Sequence, residues 1–256
     1  MNDVLKDAAM AFRLAANDFK AKYAGSAFGS LWAVAEPAVT VLVYWFVYTV
    51  AFGGNAINNI PYYLWLSVGI LPWFFVSGGI NSVTMCFRDY SYLVKKMRFK
   101  KEILPTVRAL SALISHLIFM IIVFFMCVFA GADLSRFYLL PIFCTAAFVL
   151  VFSIGKILSF LCARVKDVGT AVGVIMNILF WVTPVFWNEA SVPEKFSAFI
   201  TYNPAAIIVK GYRAVFLNTA MPNLKETVYF ILLCLILFFI SVLCEKKLLP
   251  DTADSL

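Results

Sequence analysis

Two ionisable side chains stand inside long apolar stretches of the sequence, where such groups often mark the handling of a substrate. Lys156 could mark a phosphate-binding site, or its long stem could carry the ammonium group to an interface or a watery interior. His116, the single histidine, is interpreted as a buried polar residue, with a site role as the alternative. The apolar stretches hold no Asp or Glu away from their ends, which disfavours a proton- or sodium-coupled carrier.

The residues that catalysis or metal binding would need are missing from the sequence. One histidine allows no convincing Ser-His-Asp or Cys-His arrangement, and Gly155-Lys156 lacks the upstream glycine and the following Ser or Thr of a P-loop. The six cysteines form no CxxC pair and are typical of small apolar packing residues. The sequence therefore predicts no enzyme, no metal site and no cofactor site in this chain, and any ATP would be bound elsewhere.

The densest charge lies in residues 88–108, which read RDYSYLVKKMRFKKEILPTVR. Leu93, Val94 and Met97 have helical spacing among the basic residues. A short amphipathic helix between two membrane spans would suit docking onto a cytosolic partner. A solvated basic loop on the cytoplasmic side is the alternative, and the residue pattern leaves both open.

Aromatic residues are concentrated in two apolar stretches. The first holds Tyr44, Trp45 and Tyr48, and the second holds Phe180 and Trp181. Aromatic faces can stack on sugar rings, and tyrosine hydroxyls add hydrogen bonds without charge. The alternative is an interfacial belt in contact with lipid.

Composition indicates which elements must position these residues. Hydrophobic residues make up 63% of the chain and charged residues 14%, whereas soluble domains have roughly 45–50% and about 25%. A spanning helix needs ~20 mostly apolar residues. The sequence therefore predicts an all-α integral membrane protein with six spans, at about 37–53, 62–86, 109–131, 138–162, 168–187 and 228–244.

The distribution of basic residues predicts the orientation. Six spans put both termini on one side, and most of the 21 Lys and Arg residues fall in segments on that side. Because basic loops stay in the cytoplasm, both termini are predicted to be cytoplasmic. The net charge of +7 is interpreted as this topology signal, so nucleic acid is not predicted as a partner.

Two segments are neither spans nor plain loops. Residues 3–23 have an apolar stripe at helical spacing, which predicts an amphipathic helix along the membrane surface within residues 1–30, ahead of a membrane domain at 31–256. Residues 196–209 are uncharged but too short to span, and Asn203-Pro204 interrupts them. We expect a re-entrant helical element on the outer side, at 193–213.

Three blocks of sequence carry a resemblance to a known family. They are residues 18–32 (DFKAKYAGSAFGSLW) with Glu36-Pro37, then 164–167 with 183–185 (TPV), then 202–204 (YNP) with 211–213 (GYR). In this order they resemble the permease subunits of bacterial ABC exporters for polysaccharides and polyol phosphates, which export O-antigen, capsule and teichoic acid. Phe28 departs from the usual Leu, and Lys166-Asp167 departs from the commoner Arg-Asp.

The resemblance implies a homodimer in the bacterial cytoplasmic membrane with two separate ATPase subunits, which bind ATP and Mg²⁺. It implies a lipid-linked glycan as substrate. The implied ATPase-coupling residues are Arg88, Asp89, Tyr92, Leu93, Lys95 and Lys96. The implied channel residues are Tyr44, Trp45, Tyr48, Phe180 and Trp181. The implied outer gate is Asn203, Pro204, Tyr212 and Arg213. Charge attraction at a rim of low dielectric further predicts that the lipid diphosphate would sit at Lys20, Lys22 or Arg88.

Other functions remain as alternatives. A drug or small-lipid exporter of the same permease class fits the spans, but the block around residues 23–32 favours sugar export. A membrane-embedded transferase acting on a lipid-linked sugar would need clustered carboxylates or histidines at one membrane face. A structural anchor would have no use for a re-entrant element at membrane depth.

Overall fold

The computed structural model describes residues 2–51, 53, 56–57, 59–96, 100–189 and 192–252, and it is a bundle of α-helices. The helices are α1 (Asn2–Lys22), α2 (Trp32–Phe46), α3 (Tyr62–Thr84), α4 (Cys86–Asp89), α5 (Ser91–Lys96), α6 (Leu104–Phe129), α7 (Leu140–Arg164), α8 (Asp167–Val182), α9 (Ser197–Thr201), α10 (Pro204–Phe216) and α11 (Leu224–Leu248). Two short antiparallel strands, β1 (Ala56–Ile57) and β2 (Ile60–Pro61), pair Ala56 with Pro61 and Ile57 with Ile60 between α2 and α3. The chain is an all-α membrane protein apart from this small hairpin.

The central helix of the bundle is α3. Its residues are apolar all round, and Leu66, Val68, Ile70 and Leu71 have no exposed surface. A helix of that composition must be enclosed on every side. It packs against α2, α6, α7, α8 and α10.

Five helical segments are long and apolar enough to cross a membrane in the described part of the chain: Trp32–Val50, Tyr62–Thr84, Lys101–Phe129, Phe137–Arg164 and Leu224–Leu248. The first continues α2 through a π-helical stretch at Val47–Ala51. The predicted fifth span corresponds to α8, whose 16 residues cover about 24 Å at 1.5 Å per residue. The count of six spans stays a prediction.

The two ends of the bundle can be identified from contacts. At one end, which we call the α1 end, a cluster of Cys86, Phe87 and Leu104 packs against Leu248 and Leu249, which lie at and just beyond the end of α11. At the other, the α10 end, Tyr62 at the start of α3 donates a hydrogen bond to the carbonyl of Phe186, just beyond α8. Since α8 begins beside the end of α7 at the α1 end, it connects the two ends, which supports a sixth crossing.

The amphipathic helix α1 packs against the start of α6. Ala11 and Ala15 are buried against Val107, whereas Phe12, on the predicted apolar stripe, is 60% exposed. The apolar face is thus divided between the protein and the surroundings. Because α1 and the last turn of α11 both lie at the α1 end, the predicted placement of both termini on one side is consistent with the packing.

Close helix packing joins α3 to α7. A Cβ at Gly79 would lie 2.6 Å from Val151 Cγ1, and one at Gly155 would lie 2.6 Å from Val83 Cβ. Small residues let helix backbones approach, and such packing drives helix association in membranes. Lys156 Nζ lies 2.7 Å from Glu245 Oε2, which ties α7 to α11. Lys156, whose role the sequence leaves open, therefore forms an ion pair between two helices.

Candidate functional site

A groove of about 600 Å³ enters the bundle at the α1 end. Its walls come from α2, α3, α6 and α8, and α1 borders its mouth. Charged side chains line only the mouth, and they are Asp18, Lys22, Glu36 and Arg108. Uncharged polar side chains line the walls, and they are Ser77, Ser82, Ser111, Ser115, Asn177, Tyr23 and Tyr44. Hydroxyl and amide groups facing a groove at membrane depth can exchange hydrogen bonds with a polar cargo that lipid would exclude.

Aromatic side chains lie at the deep end of the groove. Phe180 joins Tyr44 and Trp73 with ring centroids 5.9 and 5.7 Å apart. Beyond it, Phe186 contacts Tyr48 at 5.5 Å and Trp181 at 5.1 Å. Four of the five predicted channel residues therefore meet in one cluster.

The fifth predicted channel residue, Trp45, is 37% exposed. It does not line the groove. Its surroundings therefore give no specific support to a role in a channel.

A cluster of charged and phenolic side chains closes part of the groove mouth. Arg108 Nη2 lies 2.5 Å from Asp89 Oδ2, and Arg108 Nη1 lies 3.4 Å from Asp18 Oδ1. Tyr90 donates a hydrogen bond to Asp18, and the Arg108 guanidinium lies over the Tyr90 ring, 4.8 Å from its centroid. We call Asp18, Asp89, Tyr90 and Arg108 the Asp18 joint. It connects α1, α4 and α6.

The pKa values of the joint suit these contacts. Burial, followed by the hydrogen bond to Asp18, raises the pKa of Tyr90 to about 12, so its hydroxyl stays a donor at neutral pH. Burial also raises the pKa of Asp89 above its usual range, an effect that the Arg108 guanidinium opposes.

The predicted coupling residues are distributed over α4 and α5. Arg88 Nε donates to the carbonyl of Cys162 at 2.6 Å and Nη2 donates to that of Ala163 at 3.3 Å. The cation thus caps the carboxyl end of α7, where positive charge is favoured. Tyr92 is 64% exposed, and Leu93 is half-buried.

The side chains of Lys95 and Lys96 lie outside the described residues, although both belong to α5. Of the predicted rim residues, Lys20 is exposed, and Lys22 is exposed at the groove mouth. The Arg88 guanidinium instead donates to carbonyls at the end of α7. Lys22 is thus the one rim residue that also lines the groove.

The predicted outer-gate residues point into the protein. Asn203 caps α10, accepting hydrogen bonds from Ala205 N and Ala206 N, and its side-chain amide donates to Thr183 Oγ1 at 3.0 Å. Pro204 occupies the first turn of α10, where its missing N–H costs nothing. Asn203 therefore fixes the start of α10 to the end of α8.

Arg213 is 4% exposed and fixes α10 to the same place. It donates to the carbonyls of Pro184, at 2.6 Å, and of Val185. Its guanidinium carbon lies 3.8 Å from the centroid of the Trp65 ring. We call the contacts of Asn203 and Arg213 with residues 183–185 the α10 clamp.

Tyr212, the residue before Arg213 in α10, is fully buried. Its hydroxyl is 2.8 Å from His116 Nε2, and the His116 ring stacks on Phe75 at 4.6 Å. His116 also lines the groove. The histidine that the sequence treated as an ordinary polar residue therefore connects the groove wall to α10.

Sequence reasoning missed Asp18, Tyr90, Arg108 and the groove serines. Asp18 and Tyr90 are 72 positions apart in the chain, so no local pattern pairs them. The serines repeat on α3 and α6 without a motif. An available signal was Asp18 itself, an acidic residue three positions after Ala15 of the apolar stripe.

Comparison with known proteins gives consistent matches. A family model described as "ABC-2 type transporter" matches residues 11–217. The chain is 30% identical over 204 residues to an O-antigen export system permease protein, RfbA, of Klebsiella pneumoniae, covering 78% of this chain and 77% of that protein. It is 24% identical over 217 residues to a protein of the same name from Myxococcus xanthus, covering 82% and 81%.

Proposed function

The chain belongs to the ABC-2 type transporter family, and from that premise we propose that it is the membrane subunit of an ATP-driven exporter of a lipid-linked polysaccharide. The relatives named as O-antigen export permeases support the choice of cargo class. The work of the chain is transport. The observation that carries the proposal is the groove from the α1 end to the aromatic cluster.

The lining of the groove suits sugars. Serine, asparagine and tyrosine side chains give hydrogen-bond partners without a net charge. The aromatic faces of Tyr44 and Phe180 offer stacking surfaces to the C–H faces of sugar rings. Such contacts are weak individually, so a polymer can move from one to the next.

The proposed assembly is a dimer of this chain with two ATPase subunits in the bacterial cytoplasmic membrane. Leu42 and Phe46 on α2 and Ile178 on α8 are exposed beside the aromatic cluster, and Trp181 is the exposed member of the cluster. A second copy covering these faces would close the groove into a channel, and a symmetric pair is the commonest way to do so. The N-terminal helix and α4–α5 would face the ATPases.

The proposed cycle begins with ATP binding, which brings the ATPases together and displaces α4–α5. The lipid diphosphate sits at Lys22 while the glycan enters the groove. Opposite charges attract strongly at a rim of low dielectric. The polymer then passes the aromatic cluster to the α10 end.

Filling the groove tests this function. Ser115→Trp places a large ring in the groove wall, and we expect surface glycan to fall at least tenfold in cells that carry the ATPase and the glycan-assembly enzymes. Leu117→Trp is the matched control, because Leu117 is 43% exposed on the same helix and does not line the groove. It should export at close to the normal rate. Normal export by Ser115→Trp would refute the groove as the route.

A purified complex separates the cargo classes. Co-purified with its ATPase in liposomes, the chain should show ATP hydrolysis stimulated by a lipid-linked glycan. Stimulation by amphipathic drugs or small lipids instead, with no response to the glycan, would favour the drug-exporter alternative.

A further inference from the structure

We propose that the Asp18 joint transmits displacement of α4–α5 to the mouth of the groove, with Asp18, Asp89, Tyr90 and Arg108 acting as positioning residues. The inference rests on the proposed function for its source of motion, the ATPase, and it names the path that the motion takes. That path runs through side chains to α1 and α6. The alternative path would run along the backbone of α3.

The Asp18 joint begins next to α5, one of the two helices that would contact the ATPase. Val94 N, in α5, donates to the carbonyl of Tyr90 at 3.0 Å, and the Val94 side chain is 4% exposed. Asp89 is the last residue of α4, and Tyr90 follows it. Any shift of α5 therefore moves the Tyr90 hydroxyl and the Asp89 carboxylate together.

The joint ends on groove-lining residues. Asp18 and Arg108 both border the groove mouth, and they contact Tyr90 and Asp89 directly. Asp18 is 8% exposed, so its carboxylate depends on these partners to offset the loss of water. If Tyr90 withdraws, Asp18 must turn towards Arg108 or towards the open groove.

The charges of the joint are unequal, which allows two arrangements. Two carboxylates share one guanidinium, and the Tyr90 hydroxyl satisfies the second carboxylate in part. A forked guanidinium can hold two carboxylates at once or pair bidentately with one of them. Moving α4 away therefore favours a closer Arg108–Asp18 pair, which changes the position of α1 against α6 at the groove mouth.

The test uses the co-purified complex with its ATPase in liposomes and two conservative variants. Tyr90→Phe removes only the hydroxyl, and Arg108→Lys keeps the charge but loses the fork. The control is Tyr138→Phe, which removes a hydroxyl from a side chain that is 75% exposed at the α10 end. Glycan exported per ATP hydrolysed is measured, together with the ATPase rate.

We expect both variants to hydrolyse ATP within about twofold of the unmodified complex while export per ATP falls about fivefold or more. A merely structural role would lower both activities together, in proportion to the folded complex. Unchanged export per ATP in both variants would refute the inference that the joint transmits motion to the groove mouth. Tyr138→Phe should leave both quantities unchanged.

A second readout does not depend on the cargo. Lys22→Cys places a probe at the groove mouth, and its rate of alkylation by a polar maleimide is measured with and without a non-hydrolysable ATP analogue. Nucleotide should change that rate several-fold, and Tyr90→Phe or Arg108→Lys should abolish the change. An equal change in these variants, or no change in the unmodified joint, would overturn the inference. A nucleotide response at position 22, together with no glycan export by the complex that keeps Lys22, would uphold the joint and refute the proposed cargo.

Discussion

The two ends of the bundle each rely on an arginine, half-buried at the α1 end and buried at the α10 end, but they use it differently. At the α1 end, Arg108 shares its guanidinium between the side chains of Asp18 and Asp89, and its own side chain is 17% exposed. At the α10 end, Arg213 is 4% exposed and donates to backbone carbonyls under an indole ring. Side-chain partners can rotate and exchange, whereas carbonyl partners are fixed by the chain. The comparison indicates an adjustable α1 end and a fixed α10 end.

The α10 clamp also changes how an outer gate would work. Asn203, Tyr212 and Arg213 fix α10 to α8 and α6, so α10 cannot swing independently. Any opening at that end must move α10 and the end of α8 together. The exposed part of the predicted re-entrant element lies before α10, where Phe196, Phe199 and Tyr202 are 48%, 70% and 58% exposed.

The largest expected effect is loss of the buried cation in the clamp. Arg213→Met leaves the carbonyls of Pro184 and Val185 without their donor, and unpaired buried groups cost about 1–3 kcal/mol each. We expect a loss of about 3 kcal/mol, seen as a lower midpoint of thermal unfolding in detergent. Lys225→Met, at an exposed position, is the control. An unchanged midpoint for Arg213→Met would remove the basis for calling the α10 end fixed.

A smaller effect is expected from crowding the clamp without removing it. A Cβ at Gly69 would lie 2.5 Å from the Val185 carbonyl oxygen and 2.6 Å from Arg213 Nη2. Overpacking of this kind costs about 1–3 kcal/mol, so Gly69→Ala should lower the unfolding midpoint. Gly78→Ala in the same helix meets no atom within 4 Å and should leave the midpoint unchanged or slightly raised. Equal midpoints for the two variants would mean that Val185 and Arg213 move aside for the added methyl group at little cost in stability.

The smallest effect on stability is expected at the adjustable end. The Asp89 side chain is 39% exposed, and ion pairs of that exposure contribute about 0–1 kcal/mol. Asp89→Asn should therefore shift the unfolding midpoint little, and added salt should shrink the shift because exposed charges are screened. A loss as large as that of Arg213→Met, insensitive to salt, would show that the two ends do not differ.

The spans were predictable from the sequence, but their ends were less so. The start of α3 is at the predicted residue, because Pro61 and the hairpin before it interrupt the apolar run. Helices α2 and α6 begin about five residues earlier than predicted, because Glu36 and Arg108, the charged residues just before the predicted starts, lie inside these helices at the groove mouth. The last helix is also longer, and Asn223 and Glu226 form a capping box at its start. A charged residue near its start does not end a helix that reaches a polar groove mouth.

The fifth predicted span was expected to run to residue 187, but α8 ends at Val182. Pro184 restricts Thr183 to an extended conformation, and a helix cannot continue through that pair. The residue types there were visible in the sequence. Their consequence was not, because the carbonyls of Pro184 and Val185 accept hydrogen bonds from Arg213 on α10, and that of Phe186 accepts one from Tyr62 on α3.

The types of the site residues could be predicted from the sequence, but the directions in which their side chains point were less predictable. The aromatic residues of α2 and α8 meet in one cluster because both helices lie beside α3, and their role as channel residues stays a prediction. The direction in which Tyr212 and Arg213 point is set by the packing of α10 against α3 and α7. No periodicity in a 13-residue helix decides which neighbours enclose it. Long-range pairs such as Tyr90 with Asp18 follow only from the assembled bundle.

The lining of the groove has a consequence for the energy source. Its mouth holds two carboxylates and two cations, and its walls hold uncharged groups. A transmembrane voltage does work of about 2.3 kcal/mol per elementary charge per 100 mV, and it does none on a cargo without charge. The uncharged sugar part of the cargo would therefore cross such a passage at a rate independent of the membrane potential, and the voltage would act only on its lipid diphosphate.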